Sequence, residues 1–362
     1  MGFRGFVVRS SFCVLRYVFF VLSSFFVLRS SFLVPTAAQT AAPRSSPGRV
    51  EVLRSIGGLP PEICGQYREP LAFQQTASGV YYVFDRRGHS VHSIDPEMKG
   101  SRTVVTIGGE TGRVIDPTAF ALAPDGTFVV ADAPNGRERL QVFDFAGNWV
   151  TGFLLPGRAE PRISIAGLTL NGVGTLAFLG KAVALSQPET GALITEYGLA
   201  GAPFRSIGRL RATGHESDRQ LHLAMNAGVP VPLADGGYFF VFLAGMPLFQ
   251  RYDANGALMF ERVMQGRELD PVIEQMPKVW PRRTVDGKEL PLVMPTVRAA
   301  AVDGHGNLWV TFLIPFTYVF DANGEKVRTV KFRGAGEILP TSLFFNAKGH
   351  LLVTPGCYEF SP

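Results

Sequence analysis

Six times between residues 73 and 354 the chain repeats one local pattern: an apolar run, a tight glycine-bearing turn, and a second apolar run. The sharpest copy is Phe120-Ala-Leu-Ala-Pro-Asp125-Gly126-Thr-Phe-Val-Val-Ala-Asp132, continuing to Leu140-Gln-Val-Phe-Asp144 and Trp149-Val-Thr-Gly-Phe. A second is Ala299-Ala-Ala-Val-Asp303-Gly-His-Gly306-Asn-Leu-Trp-Val-Thr311, continuing to Tyr318-Val-Phe-Asp321-Ala-Asn-Gly324. The other four turn at Ser78-Gly79, Gly172-Val-Gly174, Asp235-Gly236-Gly237 and Lys348-Gly349. Asp-Gly and Asn-Gly supply the positive φ that a two-strand turn demands. The flanking runs are short and rich in Val, Phe, Leu and Trp, which suits strands buried on a sheet face. Each unit therefore predicts a small antiparallel sheet of three or four strands. Such a sheet cannot bury both faces alone, but units arranged radially bury each other's. Hydrophobic residues make up 46% and charged residues 18%, which excludes global disorder.

The ends of the chain predict how the ring shuts. Val50-Glu-Val-Leu-Arg-Ser-Ile56-Gly57-Gly58 matches Val104-Val-Thr-Ile107-Gly108-Gly109, the outer strand of a unit, yet it has no unit of its own. The last unit, Thr341 to Phe360, shows three candidate strands and lacks a fourth. Residues 50–56 are expected to complete it.

The stretch Asp116-Pro-Thr-Ala-Phe-Ala-Leu-Ala-Pro-Asp-Gly-Thr-Phe-Val-Val-Ala-Asp132 resembles an NHL repeat, as does 298–324. The resemblance implies an all-β, six-bladed β-propeller over residues 50–362, its last blade closed by the N-terminal strand. Propellers of this kind host binding proteins, lactone hydrolases and lyases, so the fold does not choose a function.

Residues 1–42 form a leader: Arg4, Arg9 and Arg16 precede the apolar run Tyr17 to Leu28, and small residues follow at 35–42. This is the order of a secretory signal peptide, and the run is short for a bilayer span. The expectation is an exported protein, periplasmic or extracellular, with membrane attachment only if the leader stays as an anchor. Residues 43–49 form a flexible lead-in. The leader carries four arginines, with Arg29, and no acidic residue, so most of the formal charge of +5 belongs to it. No basic cluster remains to mark a nucleic-acid partner.

Cys13 lies in the leader. Cys64 falls between the closing strand and the first unit, and Cys357 in the last unit, so the pair forms either a disulfide across the closure or two buried thiols.

The connections entering the first strand of each unit share one face and carry the longest loops, 200–224 and 263–296. That face is where a ligand is expected. Glu69, Asp116, Arg162, Asn226, Arg298 and Thr341 precede inner strands and should ring the channel mouth, where they bind a cation or polar ligand or simply cap loops. Trp280, Arg282 and Arg283 supply either an aromatic-plus-Arg contact surface or a loop packed on the rim.

The chain is similar to lactonase-type propellers at Glu69-Pro70 and at Val302–Val310, which implies a calcium site. That site needs an Asp entering a later inner strand, and Arg298 stands there instead. Zinc lyase propellers need converging histidines, whereas His305 and His350 fall in tight turns. The expectation is thus a non-catalytic binding or scaffold propeller without a cofactor, taking a peptide, protein or glycan on its long-loop face. The alternative is a metal-dependent hydrolase or lyase with a divergent channel-mouth calcium site.

Overall fold

The computed structural model describes residues 49–156, 161–166 and 168–362. The leader and Cys13 lie outside the described residues, as does the lead-in apart from Arg49. The described chain is all-β, with the first strand, β1 (Glu51–Gly58), followed by a short helix α1 (Pro61–Cys64). A four-stranded sheet follows: β2 (Pro70–Gln75), β3 (Tyr81–Asp85), β4 (Ser90–Ile94) and β5 (Ser101–Val105). The second holds β6 (Ala119–Leu122), β7 (Thr127–Asp132), β8 (Arg139–Asp144) and β9 (Trp149–Leu154). A hairpin of β10 (Ile163–Ile165) and β11 (Leu168–Leu170) precedes the third sheet, β12 (Leu176–Phe178), β13 (Ala182–Ser186), β14 (Ala192–Gly198) and β15 (Pro203–Arg209). Helix α2 (Arg219–Met225) leads into the fourth, β16 (Gly228–Pro232), β17 (Tyr238–Phe242), β18 (Leu248–Tyr252) and β19 (Leu258–Val263). Then come α3 (Asp270–Glu274) and a hairpin of β20 (Arg282–Val285) and β21 (Lys288–Pro291). The rest of the chain is β22 (Val297–Val302), β23 (Leu308–Phe312), β24 (Thr317–Phe320), β25 (Lys326–Arg333), β26 (Glu337–Ile338), β27 (Ser342–Phe345), β28 (Leu351–Thr354) and β29 (Tyr358–Phe360).

The first strand of each sheet pairs only with the second, leaving its other edge free. These first strands neighbour one another in a closed circuit, β2 to β6, β12, β16, β22, β27 and back to β2. The arrangement is propeller-like, with a channel at the centre.

Burial on both faces follows from the two-residue period of a strand. On β7, Phe128 and Val130 pack with Tyr82 and Phe84 of the first sheet, while Val129 and Ala131 pack with Val183 and Leu185 of the third. On β17, Tyr238 and Phe240 face Leu193 and Ile207, while Phe239 and Val241 face Val310 and Phe320.

The closing strand is shared between two units rather than given wholly to the last. Ser55–Gly58 pair antiparallel with β29, but Glu51–Arg54 pair parallel with Val330–Arg333 of β25. Strand β1 therefore joins two units into one nine-stranded sheet, ordered β22-β23-β24-β25-β1-β29-β28-β27 with β26 on β25.

The third unit also differs from the sequence reading. Gly172-Val-Gly174 is not its tight turn: β12 begins at Leu176, and the turn into β13 is centred on Gly180 at φ +76°. The first insertion likewise starts later than 200, because Pro203–Arg209 form the outer strand β15.

A single side-chain device sets many of the turns. The Oδ1 of Asp144 accepts the N–H groups of Ala146 and Asn148, that of Asp253 those of Asn255 and Ala257, and that of Asp303 those of His305 and Asn307. The side chain thus supplies acceptors the turning backbone lacks. At Asp303, burial pushes the carboxyl up, but the indole N–H of Trp309, the Asn307 amide and backbone donors outweigh it and hold it below its ordinary value. The Asn148 amide and backbone N–H groups do the same at Asp144. A carboxyl lowered in the folded state stabilises above its unfolded value of about 4, and that contribution fades as pH falls through the folded value. Thermal melts are therefore expected to hold level for these groups down to about pH 4 and to fall below it. Asp303→Asn should flatten the acid limb, and an unchanged limb would remove this account.

Candidate channel-mouth site

Where the connections enter β2, β6, β12, β16, β22 and β27, the channel widens into a cavity of about 160 Å³. Its walls carry two guanidinium groups, Arg86 and Arg298, with hydroxyls from Thr118, Thr169, Thr175, Thr341 and Ser342 and rings from Phe84 and Phe120. Most of the hydroxyls are committed. Thr175 donates to the Gly228 carbonyl at 2.5 Å, Thr341 and Ser342 both meet Thr354, and Thr169 meets Ser164.

The two arginines differ in their partners. Asp85 is buried and fixes the loop before β2 by accepting the N–H groups of Arg68 and Glu69, each at 2.8 Å, and of Gly88 at 3.0 Å. That places the Glu69 carboxylate on the Arg86 guanidinium, with Nε at 3.1 Å from Oε2 and a second contact from the terminal nitrogen. Arg298 has no ion-pair partner among the described residues. Its Nε is buried without an acceptor, and burial holds its guanidinium below the usual arginine range. Removing a cation from water without an anion is costly. The arrangement therefore favours an anion or acceptor arriving at this point.

Of the expected ring, Arg298 and Thr341 line the cavity, and Glu69 reaches it through Arg86. Asp116, held at φ +48°, and Arg162 do not line it. Arg162 reaches the Asp116 carbonyl at 3.4 Å, and the Asp116 carboxylate lies 4.0 Å from His89. Arg162 precedes the β10–β11 hairpin rather than an inner strand, because the third unit begins later than its glycines suggest.

Asn226 takes the loop-capping alternative. It is fully buried, accepts the Arg211 N–H at 2.9 Å, and donates to the Arg211 and His222 carbonyls. Its amide binds one loop to the end of α2, which leaves nothing to offer a ligand.

Trp280 lies as the second alternative has it, buried with Leu221, Met264, Leu269, Leu290 and Val293. The insertion is thus packed onto the propeller by its aromatic residue. Arg282 pairs with Asp218, the N-cap of α2, and Arg283 is exposed.

The mouth offers few donors for a metal. Glu69 is engaged by Arg86, Asp116 stands outside the cavity, and Arg298 would repel a cation, so these residues do not fit calcium. Among the described residues no three His, Cys, Asp or Glu side chains cluster to hold a metal ion.

Five residues, Gln74, Leu176, Val229, Ala300 and Leu343, also wall a larger cavity of about 480 Å³ toward the tight-turn face. Its lining is more apolar, with Leu122, Phe178, Val231, Leu233 and Phe344. Sequence reasoning missed this second chamber, although the apolar residues at the far ends of the inner strands were a signal for it.

No family model matches the chain, and no curated protein matches it. Among solved structures it is similar to a protein of unknown function from Bacteroides caccae at 11% identity, covering 73% of this chain and 81% of that one, with a TM-score of 0.45. A luciferin-regenerating enzyme is 14% identical over 83% of this chain and 85% of its own, at 0.46. Virginiamycin B lyase from Staphylococcus aureus is 11% identical over 81% and 84%, at 0.48. Likeness at this level transfers neither activity nor site residues.

Proposed function

We propose that the chain is an exported, non-catalytic six-bladed propeller that binds an anionic group of a small ligand at its channel mouth. The count of six takes the four separate four-stranded sheets as four blades. It takes the continuous sheet as two more, β22–β25 and β27–β29, zipped together by β1. Export rests on the arginine-led apolar run of the leader. The observation that carries the binding role is Arg298, a guanidinium in a walled cavity with a buried Nε and no acceptor. The ligand class is a carboxylate, the group that matches a guanidinium fork in geometry and charge. A peptide C-terminus and an acidic sugar both present one.

Titration calorimetry with a panel of N-acetyl amino acids, galacturonate and phosphate tests the reading. At least one carboxylate is expected to bind, and Arg298→Gln should weaken it about 10- to 100-fold, the loss of one charged hydrogen-bonding partner. Equal affinity in the variant, or no binding across the panel, would remove the proposal. Calcium-dependent stabilisation lost in Glu69→Gln would favour metal-dependent hydrolase or lyase chemistry instead.

A further inference from the structure

We propose that Cys64 and Cys357 are the two halves of a disulfide that seals the ring beside the β1–β29 seam. Cys64 ends α1, directly after the closing strand, and Cys357 lies in the turn between β28 and β29. The backbone already holds the two segments together. The Leu59 N–H donates to the Cys357 carbonyl at 2.9 Å, and Gly58 pairs with Tyr358. Both side chains pack in one apolar cluster with Ile63, Tyr67, Phe73 and Leu352. Both are free thiols in this structure.

The two sulfurs are not equivalent. Cys357 is fully buried, whereas Cys64 is partly exposed. The neighbouring Cys357 side chain holds the Cys64 thiol below its ordinary value against the opposing effect of burial. Cys64, with burial, pushes the Cys357 thiol up. Cys64 is therefore the sulfur that meets an oxidant, and Cys357 the one that resolves the product.

The oxidant is a disulfide, and glutathione disulfide serves as the probe. The Cys64 thiolate attacks one of its sulfurs, forming a mixed disulfide and releasing one glutathione thiolate. Cys357 gives up its proton, its sulfur attacks the Cys64 sulfur, and the second glutathione leaves. Two protein thiols lose two electrons to the probe, and their two protons end on the two glutathione thiols.

The bond would span a loop on the order of 300 residues, the kind for which a cross-link restricts the unfolded chain most. It would add a covalent clasp where the ring otherwise depends on one strand.

The test uses the full chain with Cys13→Ser, so that only this pair reacts. After exposure to glutathione disulfide the protein is denatured, alkylated and digested without reductant. Mass spectrometry is expected to find the Cys64 and Cys357 peptides joined and neither sulfur alkylated. Reduction should lower Tm by roughly 4–8 °C, and Cys357→Ser should melt at the reduced temperature with no further response to reductant. Quantitative alkylation of both sulfurs, or glutathione retained on Cys64, would overturn the proposal. So would a Tm indifferent to reductant. The peptide map stands by itself should the variant fail to fold.

Discussion

Replacing Gly58 by valine is expected to open the seam and to cost about 3 kcal/mol or more of stability. Gly58 sits at φ +130°, a conformation that side-chain-bearing residues rarely adopt. A Cβ there would stand 2.2 Å from the Cys357 carbonyl oxygen and 2.8 Å from the Tyr358 Cα. Both are backbone atoms of the strand pair that Gly58 closes, so no side-chain rotation relieves the clash. The β1–β29 ladder must therefore separate. Trp309 is a built-in reporter, because it is fully buried in the cluster that contains Leu53, Phe332 and Phe360. Denaturant unfolding followed by Trp fluorescence measures the loss. Gly126→Ala is the control: Gly126 also has positive φ, at +93°, but a Cβ added there would meet nothing within 4 Å. It should lose only about 1 kcal/mol. If the Gly58 variant lost no more than the Gly126 one, close approach at the seam would not be what holds β1 in place.

The second large effect is expected at Asp132. Its carboxylate is fully buried opposite Arg139, which is itself 12% exposed. The Arg139 Nε and terminal nitrogen donate to the two Asp132 oxygens at 2.9 and 2.6 Å. Further donations go to the Gly109 and Arg113 carbonyls, and Asp132 accepts the Ile115 N–H at 3.2 Å. The pair thus ties β7 and β8 to the loop that enters β6. Asp132→Ala leaves a buried guanidinium without its anion and should cost about 3–5 kcal/mol, seen as a fall in Tm of roughly 5–10 °C. Asp132→Ala with Arg139→Ala should cost less than the sum of the single losses, by about 1–3 kcal/mol. Strict additivity would mean the two side chains do not act as a unit.

The parts of this fold legible in the sequence are those written in local chemistry. Asp125-Gly126 and Asp303 to Gly306 mark turns because side-chain acceptors and positive φ act over a few residues. The third unit is hard to place for the converse reason. Gly172 and Gly174 are prominent, whereas the real turn at Gly180 lies between Leu179 and Lys181 with no Asp or Asn beside it, and β12 is only three residues long. That β1 meets the end of the chain follows from counting strands. That it also pairs with β25 is a long-range register no short motif encodes. Arg298 can be placed at the mouth by its position at the start of an inner strand. Asn226 sits at an equivalent position but is consumed by Arg211 and His222, and only three-dimensional neighbours distinguish an amide that binds a loop from one that faces a channel.

The hydrogen bonds of β1 have a consequence for biogenesis. A ribosome makes this strand before the other described strands, yet the strands it pairs with, residues 326–333 and 358–360, are made among the last of them. Until residues 326–333 emerge its edges have no native partner, and the native ring cannot assemble before the β1–β29 ladder can form. A newly made chain of this design thus remains an open string of hairpins until residues 358–360 have left the ribosome.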